Sequence, residues 1–120
     1  MATVLIVDDS KTSRKILGDV LIQMGLTIAG EATNGEEGFM KYKELRPDLV
    51  TMDITMPVMS GLESLLLIKH ENPDAKVVMI TAAGQKENLI TAVKSGASEF
   101  LTKPLDEKEI RRVITEVLAK

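Results

Sequence analysis

Short apolar runs alternate along this chain with longer stretches in which apolar residues recur at helical spacing. The runs are Val4-Leu5-Ile6-Val7, Thr27-Ile28-Ala29, Leu49-Val50-Thr51-Met52, Val77-Val78-Met79-Ile80 and Phe100-Leu101. The first, third and fourth are apolar almost throughout rather than alternating, which suits strands covered on both faces, as in a parallel sheet. Each intervening stretch predicts a helix. From Ile16 the apolar positions continue through Leu17, Val20, Leu21 and Met24, with Gly25 as the stop. Asn34 and Glu37 have the spacing of an N-cap and its third helical residue, and Arg46-Pro47 ends that helix. Ser60 and Glu63 repeat the signal ahead of Leu65, Leu66 and Ile68, with Asn72-Pro73 as the stop. Leu89, Ile90 and Val93 mark a fourth helix ending near Gly96. Asp106 and Glu109 open a fifth, striped by Ile110, Val113, Ile114, Val117 and Leu118.

Five β-α units in succession predict the α/β class: a five-stranded parallel sheet with helices on both faces. Isolated helices of about a dozen residues are marginal in water, so these should form by docking their stripes on the sheet. A length of 120 residues without linker or repeat reads as one domain, residues 1–120. Composition narrows the function classes. Lys plus Arg number 15 against 18 Asp plus Glu, a net charge of -3, which argues against a general nucleic-acid binder. The aromatics are only Phe39, Tyr42 and Phe100, too few for a base-stacking platform. There is no cysteine and one histidine, His70, which excludes disulfides, thiolate sites and multi-histidine metal sites. The apolar start has no basic n-region and meets Asp8-Asp9 at once, and no uncharged run approaches the roughly 18 residues of a membrane span. A cytoplasmic domain with no membrane contact is the expectation.

All strands of a parallel sheet end on one edge, where ligands sit. The residues just past each strand are therefore the informative ones. Asp8 and Asp9 come after the first, Asp53 ends the third, Thr81 ends the fourth ahead of Ala82 and Ala83, and Lys103-Pro104 comes after the fifth. The topology thus gathers three carboxylates, a hydroxyl and an ammonium. Two carboxylates about 5 Å apart repel by roughly 3 kcal/mol at an effective dielectric near 20. Lys103 offsets one charge, and a divalent cation can offset the rest. Hard oxygen donors without His or Cys point to Mg²⁺, with Mn²⁺ as a substitute. Asp9 and Asp53 are the expected direct ligands, Asp8 acts directly or through water, and the Thr55 backbone carbonyl completes the protein share. Such a site suits phosphoryl transfer, with an Asp53 oxygen as nucleophile and Lys103 and Thr81 holding phosphoryl oxygens.

Val4-Leu5-Ile6-Val7-Asp8-Asp9, Met52-Asp53-Ile54-Thr55-Met56-Pro57 with Gly61, Ile80-Thr81-Ala82 and Phe100-Leu101-Thr102-Lys103-Pro104 together resemble the receiver domain of two-component response regulators, most of all its stand-alone chemotaxis (CheY-like) type. The likeness spans nearly the whole chain. It implies the flavodoxin-like (βα)5 fold with strand order 2-1-3-4-5. It also implies that a histidine kinase donates a phosphoryl group to Asp53, that Thr81 and Phe100 form a switch, and that the helix 4, strand 5 and helix 5 surface changes. A downstream target would read that surface, either a flagellar motor switch or a phosphorelay member, and a phosphatase would reset it. The family further implies a cis Lys103-Pro104 bond and a monomer or weak dimer. The domain would not be a turnover enzyme, catalysing only its own phosphoryl transfer and slow dephosphorylation. Three positions depart from familiar chemotaxis members: Thr55 replaces Asn, Ala83 replaces a charged or amide residue, and Phe100 replaces Tyr. The first two flank the route of a hydrolytic water and bear on phosphoryl lifetime.

Taken singly, each Asp reads as a turn residue or cap, Thr81 as a cap and Lys103 as solvated. Only the set in register carries the chemistry, since unpaired buried carboxylates are costly. Met52, Met56, Met59 and Met79 read as packing, His70 as solvated, and Lys108, Arg111 and Arg112 as a solvated helix face. A Mg²⁺-dependent phosphohydrolase using the same Asp lacks a cap or a second acid-base group. A flavodoxin-like mononucleotide binder lacks a phosphate loop, because Gly30, Gly35 and Gly38 do not form the fingerprint.

Overall fold

Ten elements alternate strictly in the computed structural model: β1 (Thr3–Val7), α1 (Lys11–Gln23), β2 (Thr27–Ala32), α2 (Gly35–Leu45), β3 (Leu49–Asp53), α3 (Gly61–Glu71), β4 (Val77–Thr81), α4 (Lys86–Lys94), β5 (Glu99–Thr102) and α5 (Glu107–Ala119). The structure describes residues 2–82 and 86–120, and the side chains of all these except 86–89. Ala83 and the Leu89 side chain therefore lie outside the described residues. All four strand pairings are parallel, in the order β2-β1-β3-β4-β5.

Strand alternation divides the interior into two layers. Val4 and Ile6 of β1 pack with Leu17, Val20 and Leu21 of α1 and with the α5 stripe Ile110, Val113, Ile114 and Val117. Leu5 and Val7 face the other way, toward Tyr42 of α2, Leu65 and Ile68 of α3 and Ala92 of α4. The central strands β3 and β4 are buried at every position, as suits their mostly apolar runs.

The helix starts obey local chemistry. Asn34 accepts a hydrogen bond from the Glu37 amide at 2.8 Å, and Ser60 and Asp106 cap α3 and α5 in the same way. Arg46 closes α2 in the left-handed conformation, just before Pro47.

Four features differ from the periodicity. β2 runs on through Gly30, Glu31 and Ala32, residues whose composition hides a strand. Ile16 and Leu66 stand outside their helices' buried faces. On α4, Ile90 and Val93 are more than half exposed while the small Ala92 is buried. Ile90 and Val93 thus belong to an outward face, not to the face docked on the sheet.

Candidate functional site

Strand order places the site. The chain leaves β1 toward one edge to form β2 and returns to the other side for β3. The crevice between the carboxyl ends of β1 and β3 is the switch point of the sheet. Val7 pairs with Met52, and the next residues on the two strands are Asp8 and Asp53. Gly61 lets the chain come back close to Asp53, since a Cβ there would lie 1.9 Å from the Asp53 carbonyl oxygen. The Gly61 amide donates to the Ile54 carbonyl at 2.7 Å, which seats the start of α3 beside the site.

Asp8, Asp9 and Asp53 each offer a carboxylate oxygen, and these lie within 4.8 Å of one another. Asp8 and Asp53 are buried and Asp9 is exposed. The Lys103 ammonium lies 3.2 Å from Asp8 Oδ2 and 3.4 Å from Asp53 Oδ2. Asp8 Oδ1 accepts from the Ser10 amide at 2.8 Å. Among the described residues Asp8 Oδ2 is buried without a well-formed hydrogen bond, its close neighbour being that ammonium. A buried carboxylate oxygen in this position is a ready donor to a hard cation, and the all-oxygen set fits magnesium chemistry.

The electrostatics agree. Burial, and next the Asp8 carboxylate, raise Asp53 from an ordinary 3.8 to about 6; Lys103 opposes this, and Asp9 adds to it. Burial works to lower the pKa of Lys103, but Asp53 and Asp8 outweigh it and leave the ammonium more firmly protonated. The cluster holds more negative charge than one lysine balances.

Thr81 ends β4, the strand beside β3, and is buried; its hydroxyl donates to the Ala82 carbonyl at 3.3 Å. The Lys103 amide donates to the Thr81 carbonyl at 2.8 Å, tying the ends of β4 and β5 together. The Lys103-Pro104 bond is cis. Thr55 is exposed on the loop after β3, two residues past Asp53. Phe100 is outside the acidic cluster. It is half-buried against the α2–α4 layer and, with Ile90, Val93 and Lys94, lines an apolar hollow of about 250 Å³.

The bland readings hold elsewhere. His70 is exposed, Met52 and Met79 are core, and Met56 is packed against it. Arg111 and Arg112 pair along α5 with Glu107, Glu109 and Glu116. Among the described residues no helix is long and apolar enough to cross a membrane.

One contact has no signature in the sequence. The Arg14 guanidinium reaches back from α1 to the Asp8 carbonyl. Nothing local signals it, because its second partner, Glu31, lies on a different strand.

Comparison with known proteins points one way. The response regulator receiver domain matches residues 4–115. Chemotaxis protein CheY of Thermotoga maritima is 45% identical over 114 residues, 95% of each chain. Chemotaxis protein CheY of Bacillus subtilis is 41% identical over 115 residues, 96% of each. Among solved structures, a chain of the CheX–CheY–BeF3–Mg²⁺ complex from Borrelia burgdorferi superposes with a TM-score of 0.94 at 37% identity, covering 99% of this chain and 90% of that one.

Proposed function

We propose a function on one premise: the chain belongs to the response regulator receiver domain family. It is a phosphorylation-controlled signalling switch acting in chemotaxis, a reading supported by its similarity to chemotaxis CheY proteins. The observation that carries this is the meeting of Asp8, Asp9 and Asp53 around the Lys103 ammonium at the switch point of the sheet.

Asp8, Asp9, Asp53 and the Thr55 carbonyl would hold Mg²⁺, with Mn²⁺ able to replace it. When bound, the ion would supply positive charge where the transferring phosphoryl group spreads negative charge. The protein's own groups do the rest. An Asp53 carboxylate oxygen attacks phosphorus in line, an O–P bond forms, and the N–P bond of a kinase phosphohistidine breaks, leaving the histidine to take a proton. Lys103 holds one phosphoryl oxygen and Thr81 another. Engagement of Thr81 at the end of β4 draws on α4, and Phe100 repacks into the hollow it shares with Ile90 and Val93. That rearranged α4–β5–α5 face is what a downstream target reads, either a flagellar motor switch or a phosphorelay member.

The domain acts in the cytoplasm, receives its phosphoryl group from a histidine kinase, and is reset by slow self-hydrolysis or a phosphatase. It is not a turnover enzyme. Thr55, exposed two residues past Asp53, bears on the phosphoryl lifetime.

The test is acetyl phosphate with Mg²⁺, read by intact mass and by amide shifts. One phosphoryl group should appear on Asp53, with shifts reaching Phe100, and both should vanish in Asp53→Asn. A wild-type protein that gains no mass and shows no shift with beryllofluoride at millimolar Mg²⁺ is not a receiver switch.

A further inference from the structure

Asp8 and Asp9 are consecutive, so the peptide between them controls how their carboxylates diverge. Its plane sets the ψ of Asp8 and the φ of Asp9, the only soft backbone torsions beside that bond. Three contacts hold Asp8. Its amide donates to the Ala32 carbonyl at 3.0 Å, its Oδ1 accepts from the Ser10 amide at 2.8 Å, and Lys103 faces its Oδ2. Asp9 is different. Among the described residues no group hydrogen-bonds or ion-pairs with its carboxylate, and it is exposed. The backbone therefore sets the direction of its Cα–Cβ bond, and only χ1 and χ2 remain to bring the carboxylate into the cluster.

That backbone is gripped by one side chain. Arg14 Nη1 donates to the Asp8 carbonyl at 2.6 Å, and Arg14 Nε donates to Glu31 Oε1 at 2.9 Å. The guanidinium is rooted in α1, reaches the end of β1, and is braced by the end of β2. Its side chain is only 14% exposed, against 54% for Glu31. A pair with so exposed a partner adds little stability by itself. A planar fork with fixed donor directions nevertheless orients what it touches, and the bond to the carbonyl is charge-assisted.

We propose that Arg14 is a positioning residue for cation loading: by fixing the Asp8–Asp9 peptide plane it aims the otherwise unheld Asp9 carboxylate into the acidic cluster. This inference rests on the receiver function proposed above. Among the described residues Arg14 bonds to Glu31 and to the Asp8 carbonyl, and to no carboxylate of the cluster. Groups that orient metal ligands commonly govern affinity by 10–100-fold.

Two variants separate geometry from charge. Arg14→Gln removes the fork and the charge. Arg14→Lys keeps the charge but cannot donate in two fixed directions. Calorimetric titration with Mg²⁺ should show binding weakened roughly 10–100-fold in both variants, with metal-free melting temperatures close to wild type. The Mg²⁺ concentration that half-saturates phosphorylation by acetyl phosphate should rise in step, while the rate at saturating Mg²⁺ recovers toward wild type. If Arg14→Lys binds Mg²⁺ as wild type does, charge alone matters and the positioning role is wrong. If both variants bind normally but melt lower, Arg14 is merely structural and the role is again wrong. If Arg14→Gln does not fold, Arg14→Lys alone decides. A wild-type protein that binds no Mg²⁺ removes the receiver reading itself, a result distinct from normal binding in the variants.

Discussion

Two buried polar residues each carry a cost in the folded chain that a substitution should relieve. Asp53 has a carboxyl raised from 3.8 to about 6, so between those values the folded chain holds a proton that the unfolded chain has lost. Folding is therefore favoured by this group below pH 3.8, and that contribution is lost as pH rises through about 6. Without divalent cations, the ionised carboxylate costs up to about 3 kcal/mol at pH 7. Asp53→Asn should be more stable than wild type at pH 7 in chelator, and the gap should close on going down to pH 4. Urea melts across that range check it; a variant less stable at pH 7 would mean that the lost Lys103 contact outweighs the relieved repulsion. Thr51 is buried on β3 between Ile6 and Val78, and its hydroxyl has no hydrogen-bond partner among the described residues. An unsatisfied buried hydroxyl costs about 1–3 kcal/mol, so Thr51→Val should raise the urea midpoint by the equivalent of about 1 kcal/mol without touching phosphorylation. The meeting of Asp8, Asp9, Asp53 and Lys103 was legible because each lies within two residues of the end of an apolar run. Thr51 was not, since a Thr within a strand reads equally as packed or paired until its neighbours are known.

Helices and strands were legible where an element's chemistry is local. The caps at Asn34, Ser60 and Asp106 each need only a residue three positions on, and all three occur. The α5 stripe sits where its period places it, buried along Ile110, Val113, Ile114 and Val117. α4 was misleading, because periodicity reports that apolar residues share a face and not what covers it. Ile90 and Val93 look outward beside Phe100. Ile90→Gln should therefore change stability by less than about 0.5 kcal/mol, as exposed positions do. Ile114→Ala should cost about 2–5 kcal/mol. Thermal melts of the two separate an outward face from a core face. Gly61 marks the opposite case, an element start fixed by close approach. In Gly61→Ala the added methyl would fall 1.9 Å from the Asp53 carbonyl oxygen, so backbone must move. A loss of about 3 kcal/mol is expected, together with slower phosphorylation, because the displaced group belongs to Asp53 itself.

At the scale of the whole molecule, strand order converts sequence distance into a site. Asp8 and Asp53 are 45 positions apart yet lie one step beyond a paired Val7 and Met52. Lys103 arrives from two strands further along the sheet, on β5's carboxyl end. The same arrangement leaves the apo protein with uncompensated charge at its centre, so cation binding and folding must be linked. A ligand that binds only the folded chain stabilises it by about 2.7 kcal/mol at a hundred times its dissociation constant. For a domain of this size that corresponds to a melting shift of roughly 10 °C. Saturating Mg²⁺ should produce a shift of that order at pH 7.5. The shift should shrink as pH falls from 7 toward 5, because Asp53 takes up a proton near 6 and ceases to be a good ligand. Asp53→Asn should lose more than half of it at pH 7.5, and its remainder should not fall over that window, so that the two proteins converge toward pH 5. Differential scanning fluorimetry with Mg²⁺ and chelator across pH 5–8 measures all three. A magnesium shift independent of pH in the wild type would mean that Asp53 is not among the ligands.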